Sequence, residues 1–539
     1  MTAPPPANGS TRLARDVVAT LVGAGIEDFV LAPGSRSAPL AFAAYDAADA
    51  GHIRLHTRID ERSAGFTALG LTKVGRRAAV FCTSGTAVAN LHPAILEAAH
   101  AGLGLAVISA DRPARFRGTG ANQTTDQVGI FGPLIRTWDL APDATLGFPP
   151  DARPTHWNLQ FDEPLLPDAP WHGDLEGPEP DEGRQTPLSV SLDLGPRTVV
   201  IAGDDAGPPA RILAQEANWP LLAEPTSGCR TGDNVIRGYR LLLGGELAAQ
   251  IQRVIVAGHP TLSRPVTQLL NRKGVDVVSL RGRGVWPERP FAVVGEFDRL
   301  GVPAPDDAAW LDRWRGADRE VCAGLNELLA AAGELTPYAV AGAVSAAVPP
   351  GGMLYVGASN PIRDLDLMVT PYRVGDRRKI IGNRGLAGID GTVSSAIGAA
   401  LGRRPESRNL ALMGDLTFLH DSNGLILGPG EVRPDLTIVV VNDDGGSIFA
   451  TLEQGAPAYS ARYEKLFGTP HGVDLASLCA ATRTPHWAVS SLPELEQALA
   501  SPNGGIEVIE VKVRRDNRRA LDAQIRALVS PGSRTALGL

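Results

Sequence analysis

Lysine is scarce in this 539-residue chain, with Lys73, Lys273, Lys379, Lys465 and Lys512 making up the full set. Almost every cation is therefore an arginine, whose planar fork suits carboxylates and phosphates. Cysteine is scarcer still. Cys82, Cys229, Cys322 and Cys479 are scattered with no CxxC pair, which excludes a zinc ribbon and a disulfide scaffold and fits a reducing compartment. No apolar run reaches the ~18–20 residues that span a bilayer. The opening stretch MTAPPPANGS has no apolar core and reads as a loose tail, not a signal peptide. These absences predict a cytoplasmic protein without stable membrane insertion. Positive charge is not in excess either: the net charge is −8 and the pI about 5.8, which argues against a nucleic-acid or membrane-surface binder. No short-period repeat is visible.

What the chain does have is length and a recurrent pattern. A single hydrophobic core stops growing near ~250–300 residues, so several domains are required. Short apolar runs recur and end in Gly, Ser, Asp or Pro, as in DFVLAPGS (28–35), AAVFCTSG (78–85), LAVISADRP (105–113), TVVIAGDD (198–205), RVIVAGHP (253–260), LALMGDL (410–416) and TIVVVNDDGG (437–446). Continuous apolar strands alternating with Ala-rich helical stretches are the pattern of α/β proteins with parallel sheets. Pro/Gly/acid-rich segments without periodicity break the chain near 163–187 and 285–310. The predicted organisation is α/β with three doubly wound parallel-sheet domains, 1–165, 188–310 and 330–539, a linker over 166–187 and a connecting helix over 311–329. In such sheets ligands sit at the carboxyl ends of strands.

The sharpest local signal is in the third domain. One predicted strand runs into Gly414-Asp415-Leu416, a helix-like segment LTFLHDSNGLILG follows, and a second strand runs into Asn442-Asp443-Asp444-Gly445-Gly446. Two adjacent strand ends thus carry hard oxygen donors about one βαβ unit apart. Mg²⁺ favours such donors and usually bridges protein carboxylates to substrate phosphates. Asp415 offers one carboxylate, Asp443 or Asn442 a side-chain oxygen, and Gly445 a backbone carbonyl, while Gly445-Gly446 allows close approach to a phosphate. The plain alternative is a pair of ordinary turn loops. In the first domain, HIRLHTRID (52–60) leads into Glu61 at a strand-to-helix junction. Burial there would raise its pKa towards the range useful for proton transfer. The plain alternative is a first-turn acid that complements the helix dipole.

The GD…Asn/Asp-loop pattern resembles the motif of thiamine-diphosphate enzymes. That resemblance implies thiamine diphosphate and Mg²⁺ (or Mn²⁺) as cofactors. It implies Asp415, Asp443 and the Gly445 carbonyl as metal ligands, with the register against Asn442 open by one residue. It also implies cofactor contacts from Gly414, Leu416, Asn442, Gly445 and Gly446, and Glu61 as the catalytic acid facing the aminopyrimidine. Further motifs narrow the likeness: LAPGSRSAPL (31–40), DERSAGF (60–66), CTSGTAVANLHPAILEA (82–98), SADRP (109–113), GTGANQ (118–123), GASNPIRD (357–364) and GNRGLAGIDGTVS (382–394). Together they resemble the 2-succinyl-5-enolpyruvyl-6-hydroxy-3-cyclohexene-1-carboxylate synthase family of menaquinone biosynthesis over nearly the whole chain.

The resemblance implies decarboxylation of 2-oxoglutarate and addition of the succinyl-carrying enamine to isochorismate. Substrates with two carboxylates each call for several cationic forks. The matching positions are Ser35, Arg36, Arg112, Asn122, Gln123, Arg264, Ser359, Arg363 and Arg384, with Ile448 and Phe449 walling the reacting carbon and Ile389 propping the cofactor into its bent shape. It further implies a homodimer or dimer of dimers with active sites at the subunit interface. Another thiamine-dependent decarboxylase or carboligase, and an inactive homologue, remain as alternatives. The segment 130–167 is shorter than the likeness calls for, so a helix over the first sheet is expected to be missing, leaving apolar surface exposed or covered by a partner.

Overall fold

The computed structural model describes residues 8–144, 146, 153–173, 175, 177, 188–285 and 288–529. Three parallel sheets dominate. The first runs in the order Arg54–Thr57, Asp28–Leu31, Ala78–Cys82, Ala106–Asp111, Thr155–Gln160, Arg136–Leu140. The third repeats that order with Lys379–Ile381, Met353–Val356, Asn409–Gly414, Leu436–Asn442, Ile506–Lys512 and His486–Val489. Between them lies a five-stranded sheet whose central strands are Thr198–Ala202 and Arg253–Ala257, accompanied by a short parallel pair, Ser189–Ser191 with Arg299–Gly301. Strands such as Ala78–Cys82 and Thr198–Ala202 are buried along their whole length. That is why they read as unbroken apolar runs.

In the first and third sheets the direction of strand addition reverses between the first and third strands in chain order. Ligand crevices open at such points, outside the carboxyl ends. The motif residues lie there. Ser35 and Arg36 follow Asp28–Leu31, Glu61 follows Arg54–Thr57, and Arg112 follows Ala106–Asp111. In the third sheet Ser359 follows Met353–Val356, Arg384 follows Lys379–Ile381, Asp415 follows Asn409–Gly414 and Asp443 follows Leu436–Asn442.

The first and third domains are fused through two helices. Glu61–Lys73 buries every residue from Ser63 to Leu71, and Thr392–Leu401 is buried throughout. A helix buried on all sides needs small residues where another helix crosses it. Gly70 and Gly398 serve this purpose: a Cβ at Gly70 would lie 2.0 Å from the Ser395 carbonyl oxygen, and one at Gly398 would lie 2.0 Å from that of Thr67. Val80 and Val107 of the first sheet and Tyr355, Ala411 and Ile438 of the third therefore belong to one continuous core.

Several local expectations are corrected. The segment after Asp415 is not one long helix but a short one, Asp415–His420, followed by a 3₁₀ turn at Ser422–Leu425. Pro361 lies in the first turn of the helix Asn360–Met368, with Ser359 at the N-cap position; proline at that place loses no helical hydrogen bond. The connecting helix spans Ala308–Ala330. The short segment after residue 130 forms the edge strand Arg136–Leu140, and Trp138 packs edge-on against Trp157 at 6.3 Å. That side is covered by the chain itself. Leu165, Trp171 and Leu175 pack on the core, and the Trp171 N–H donates to Asp46 at 2.8 Å. The described part of the 166–187 stretch is thus partly docked, while 174, 176 and 178–187 lie outside the described residues, as does most of the opening tail (1–7). Among the described residues no helix is long and apolar enough to cross a membrane.

Gly398→Ala is expected to destabilise the protein by about 1–3 kcal/mol through overpacking, visible as a lower calorimetric midpoint. An unchanged midpoint would show that the helices can part at no cost.

Candidate active site

An open pocket lies over the third sheet, lined among others by Ser359, Asn360, Ile389, Gly414, Asp415, Leu416, Asp443, Gly445, Gly446, Ile448 and Phe449. Residues picked from four separate motifs are thus brought together. Asp415 is 2% exposed and its carboxylate is oriented by three donors: the Leu416 N–H at 2.7 Å, the Gly445 N–H at 2.9 Å and His471 Nε2 at 3.1 Å. His471 Nδ1 accepts the Val473 N–H at 2.9 Å. The ring proton therefore sits on Nε2 and points at Asp415. His471 was invisible in the sequence, since it lies 56 residues beyond Asp415 in no recognisable motif.

Asp443 lines the same pocket. Burial and the neighbouring Asp415 charge push its pKa up to about 7, and burial raises that of Asp415 as well. Two carboxylates held together against their mutual repulsion create a demand for a cation. Asn442 is engaged elsewhere. Its amide donates to Glu510 at 2.7 Å and its oxygen accepts the Asp444 N–H at 3.0 Å, and it is absent from the pocket lining. Among the described residues no three His, Cys, Asp or Glu side chains form a metal cage; a Mg²⁺ ion held by two carboxylates normally completes its shell with water and ligand phosphates.

The glycines also have a packing reason. A Cβ on Gly445 (φ +150°) would lie 2.1 Å from the Gly468 carbonyl oxygen, and one on Gly446 would lie 2.3 Å from that of Phe467. They are needed so that the turn can pack on the following segment. The open space is over Gly414, where nothing lies within 4 Å of a Cβ position. The buried pair Asp364–Arg518 also faces the pocket, with the Arg518 guanidinium 4.6 Å above the Tyr338 ring.

Arg363 and Arg384 are neighbours and do not line this pocket. Arg384 is buried and donates to Thr261 Oγ1 of the central domain at 3.1 Å. Arg363 donates to the Ser359 carbonyl at 2.6 Å, and its pKa is lowered by burial and then by the charges of Arg384 and Arg240. Arg264 is placed differently from the expectation of a strand-end loop. It opens the helix Arg264–Leu270 and, exposed, grips Glu453 with its two forks at 2.6 and 3.1 Å.

The first-domain set forms a second, separate cluster. Arg112 donates to Ser84 Oγ at 2.7 Å and to the Gln123 carbonyl at 2.6 Å. Burial and then the Arg36 charge lower its pKa. Ser35, Asn122 and Gln123 are exposed nearby in the chain's own loops. Beneath them, Gln127 is fully buried and joins three segments: it accepts the Gly85 N–H at 2.8 Å and donates to the Ala110 carbonyl at 3.2 Å and to Asn158 at 2.8 Å. Glu61 belongs to this half. It is half-buried, less than expected, and accepts a hydrogen bond from Asn90 at 3.4 Å. It does not line the Asp415 pocket. Its neighbour Arg62 meets the far end of the helix that Asp415 begins, donating to the His420 carbonyl at 2.8 Å.

Comparison with known proteins agrees with this layout. Residues 11–130 match the thiamine pyrophosphate enzyme N-terminal TPP binding domain, and residues 366–511 match the corresponding C-terminal TPP binding domain. The chain is 65% identical to a protein of Nocardioides sp. over 98% of its own length and 100% of the relative. It is 45% identical to one of Kineococcus radiotolerans over 97% of its length and 99% of the relative. It is 42% identical to one of Rhodococcus erythropolis over 96% and 99%. Each of these relatives is named 2-succinyl-5-enolpyruvyl-6-hydroxy-3-cyclohexene-1-carboxylate synthase.

The raised Asp443 pKa has a testable sign. In the unfolded chain this carboxyl ionises near the ordinary aspartate value of ~3.9, and in the folded protein only near 7. Its charge therefore weakens the fold progressively as pH rises between those values, and fully above them. Without divalent cations, Asp443→Asn should stabilise the protein at pH 8 by about 1–2 kcal/mol after allowance for solvent screening. The difference should vanish near the ordinary aspartate value. Thermal midpoints in chelator decide it; a lower midpoint for the variant at pH 8 would contradict the assignment.

Proposed function

The chain belongs to the 2-succinyl-5-enolpyruvyl-6-hydroxy-3-cyclohexene-1-carboxylate synthase family of thiamine-diphosphate-dependent transferases, and on that premise we propose that it takes 2-oxoglutarate and isochorismate, releases CO₂ and joins the succinyl unit to the isochorismate ring. The product is 2-succinyl-5-enolpyruvyl-6-hydroxy-3-cyclohexene-1-carboxylate, and the step belongs to menaquinone biosynthesis in the cytoplasm. The observation that carries the reading is the pairing of arginines. Behind burial, the Arg36 charge lowers the pKa of Arg112 and the Arg384 charge lowers that of Arg363. Like charges held side by side await an anion, and each substrate of this reaction brings two carboxylates.

The pocket fits the cofactor and its metal. Asp415 and Asp443, with the Gly445 carbonyl, would hold Mg²⁺ or Mn²⁺. Gly414, Leu416 and Gly446 would offer backbone groups to the diphosphate, with Asn442 bracing the turn through Glu510. Ile389 would support the middle of the cofactor, and Ile448 and Phe449 would exclude water from the reacting carbon. When bound, thiamine diphosphate supplies the electron sink that lets CO₂ leave. Glu61 would hold the proton shared with the aminopyrimidine nitrogen. Its absence from the Asp415 pocket of its own chain supports a homodimer, or a dimer of dimers, in which a second copy supplies Glu61, Ser35, Arg36, Arg112, Asn122 and Gln123. Arginine forks fix the two substrates so that carbon meets carbon, and such orientation can contribute ~7–11 kcal/mol.

Incubation with 2-oxoglutarate, isochorismate, thiamine diphosphate and Mg²⁺ should consume isochorismate, followed by its absorbance. Pyruvate in place of 2-oxoglutarate should give little turnover, because it lacks the distal carboxylate. Glu61→Gln should lower kcat by about 100-fold or more while thiamine diphosphate still quenches tryptophan fluorescence. Equal turnover of pyruvate, or a fully active Glu61→Gln variant, would overturn the reading.

A further inference from the structure

The loop that carries Arg384 is contacted from the first and central domains, and one contact is unexplained by the chemistry above. Glu97, on the first-domain helix His92–Ala101, is 3% exposed and lies within the 82–98 motif. Its two carboxylate oxygens are not paired with a substrate arginine. One accepts the Gly385 N–H at 2.8 Å and the other accepts the Leu386 N–H at 2.7 Å, the two backbone groups that immediately follow Arg384. The loop lies directly on the helix: a Cβ at Gly385 would lie 2.6 Å from the Glu97 carbonyl oxygen and 2.9 Å from the Ala101 nitrogen. On the other side of Arg384, Asn383 accepts from the Tyr355 hydroxyl at 2.5 Å and donates to Ser395 at 3.2 Å. Lys73, at the end of the helix that Glu61 begins, stands 3.8 Å from the Glu97 carboxylate, and both side chains are more than nine-tenths buried.

We propose that Glu97 is a positioning residue for Arg384: its carboxylate clasps the two following backbone N–H groups and so fixes the direction in which the guanidinium faces the isochorismate carboxylate. The inference rests on the assignment of Arg384 to isochorismate. A carboxylate suits the place because it offers two acceptors to two adjacent donors, and charge-assisted bonds of this kind are the strong ones. Glutamine keeps the shape but turns an NH₂ group towards one of the two N–H groups, so one donor loses its partner. The arrangement has a further consequence. The same first domain that lends Glu61 and Arg112 to one site holds Arg384 of the other, so each domain pair in the dimer touches both sites.

The test uses the full-length holoenzyme with Glu97→Gln, Arg384→Ala and the double variant. Glu97→Gln should raise KM for isochorismate about tenfold, with kcat and KM for 2-oxoglutarate within about twofold and thiamine diphosphate affinity unchanged. Amide hydrogen exchange in the peptide spanning 383–388 should quicken. Because Glu97 acts through Arg384, the double variant should be no worse than Arg384→Ala alone. Unchanged exchange at 383–388, additive effects, or an equal loss of rate towards both substrates would each overturn the proposal. Should Arg384→Ala leave KM for isochorismate unaltered, the assignment of Arg384 falls, and the exchange arm alone decides on the clasp: quicker exchange sustains it, unchanged exchange refutes it.

Discussion

The helices Glu61–Lys73 and Thr392–Leu401 cross with backbone against backbone at Gly70 and Gly398. A contact without room for a methyl group has one geometry, because interiors packed to crystal-like density do not slide. It fixes the first sheet on the third within each chain and makes their cores continuous. It also determines where the reactive groups face. Glu61 is held at one end of its helix, beside His420, and outside the pocket that Asp415 and Asp443 share. The proposed division of the site between two chains follows from this separation.

Each half-site is electrostatically incomplete. The Asp415–Asp443 pair is an acid cluster held in a partly dry pocket, with burial acting against both charges. The arginine pairs are the opposite case: Arg112 and Arg363 are disfavoured as cations by burial and then by a neighbouring arginine. Such groups cost stability in isolation. Their persistence marks places where an ion or ligand restores the balance. Several other buried charges among the described residues are internally matched. Asp364 answers Arg518, Asp28 answers Arg54, Arg76 and His56, and Asp111 and Asp139 share Arg117. The contrast separates groups that serve the fold from groups that await something else.

The fold was largely readable because buried parallel strands write themselves as apolar runs that stop at a small or acidic residue. Val199–Ile201 and Ile438–Val440 are examples, each with no exposure at all. The site was readable for the same reason, since ligand loops follow strands: Gly414-Asp415 and Asn442-Asp443 stand next to each other because Leu410–Gly414 pairs with Thr437–Val441. What escaped was set by tertiary contact. His471 reaches Asp415 from a loop with no periodicity. Glu97 reads as one polar position on an Ala-rich helix, and only the folded chain brings the 385–386 backbone onto it. The stretch around Trp171 has the composition of a free linker, yet its few apolar residues find the outer face of the first sheet. Arg264 has the local pattern of an anion binder, and its fork is occupied by Glu453, 189 residues away. Spacing along the chain carries no information about such partners.

The division of the site between two chains is tested most directly by mixing two inactive variants. Glu61→Gln damages the first-domain half and Asp415→Asn the third-domain half. If the halves meet across a subunit interface, dissociating and reassorting equal amounts yields hybrid dimers in which one site carries both lesions and the other carries neither. About half of the dimers are hybrids with one intact site of two, so activity should recover to about a quarter of wild type. If each chain completes its own site, every site keeps a lesion, and the mixture stays as inactive as its components.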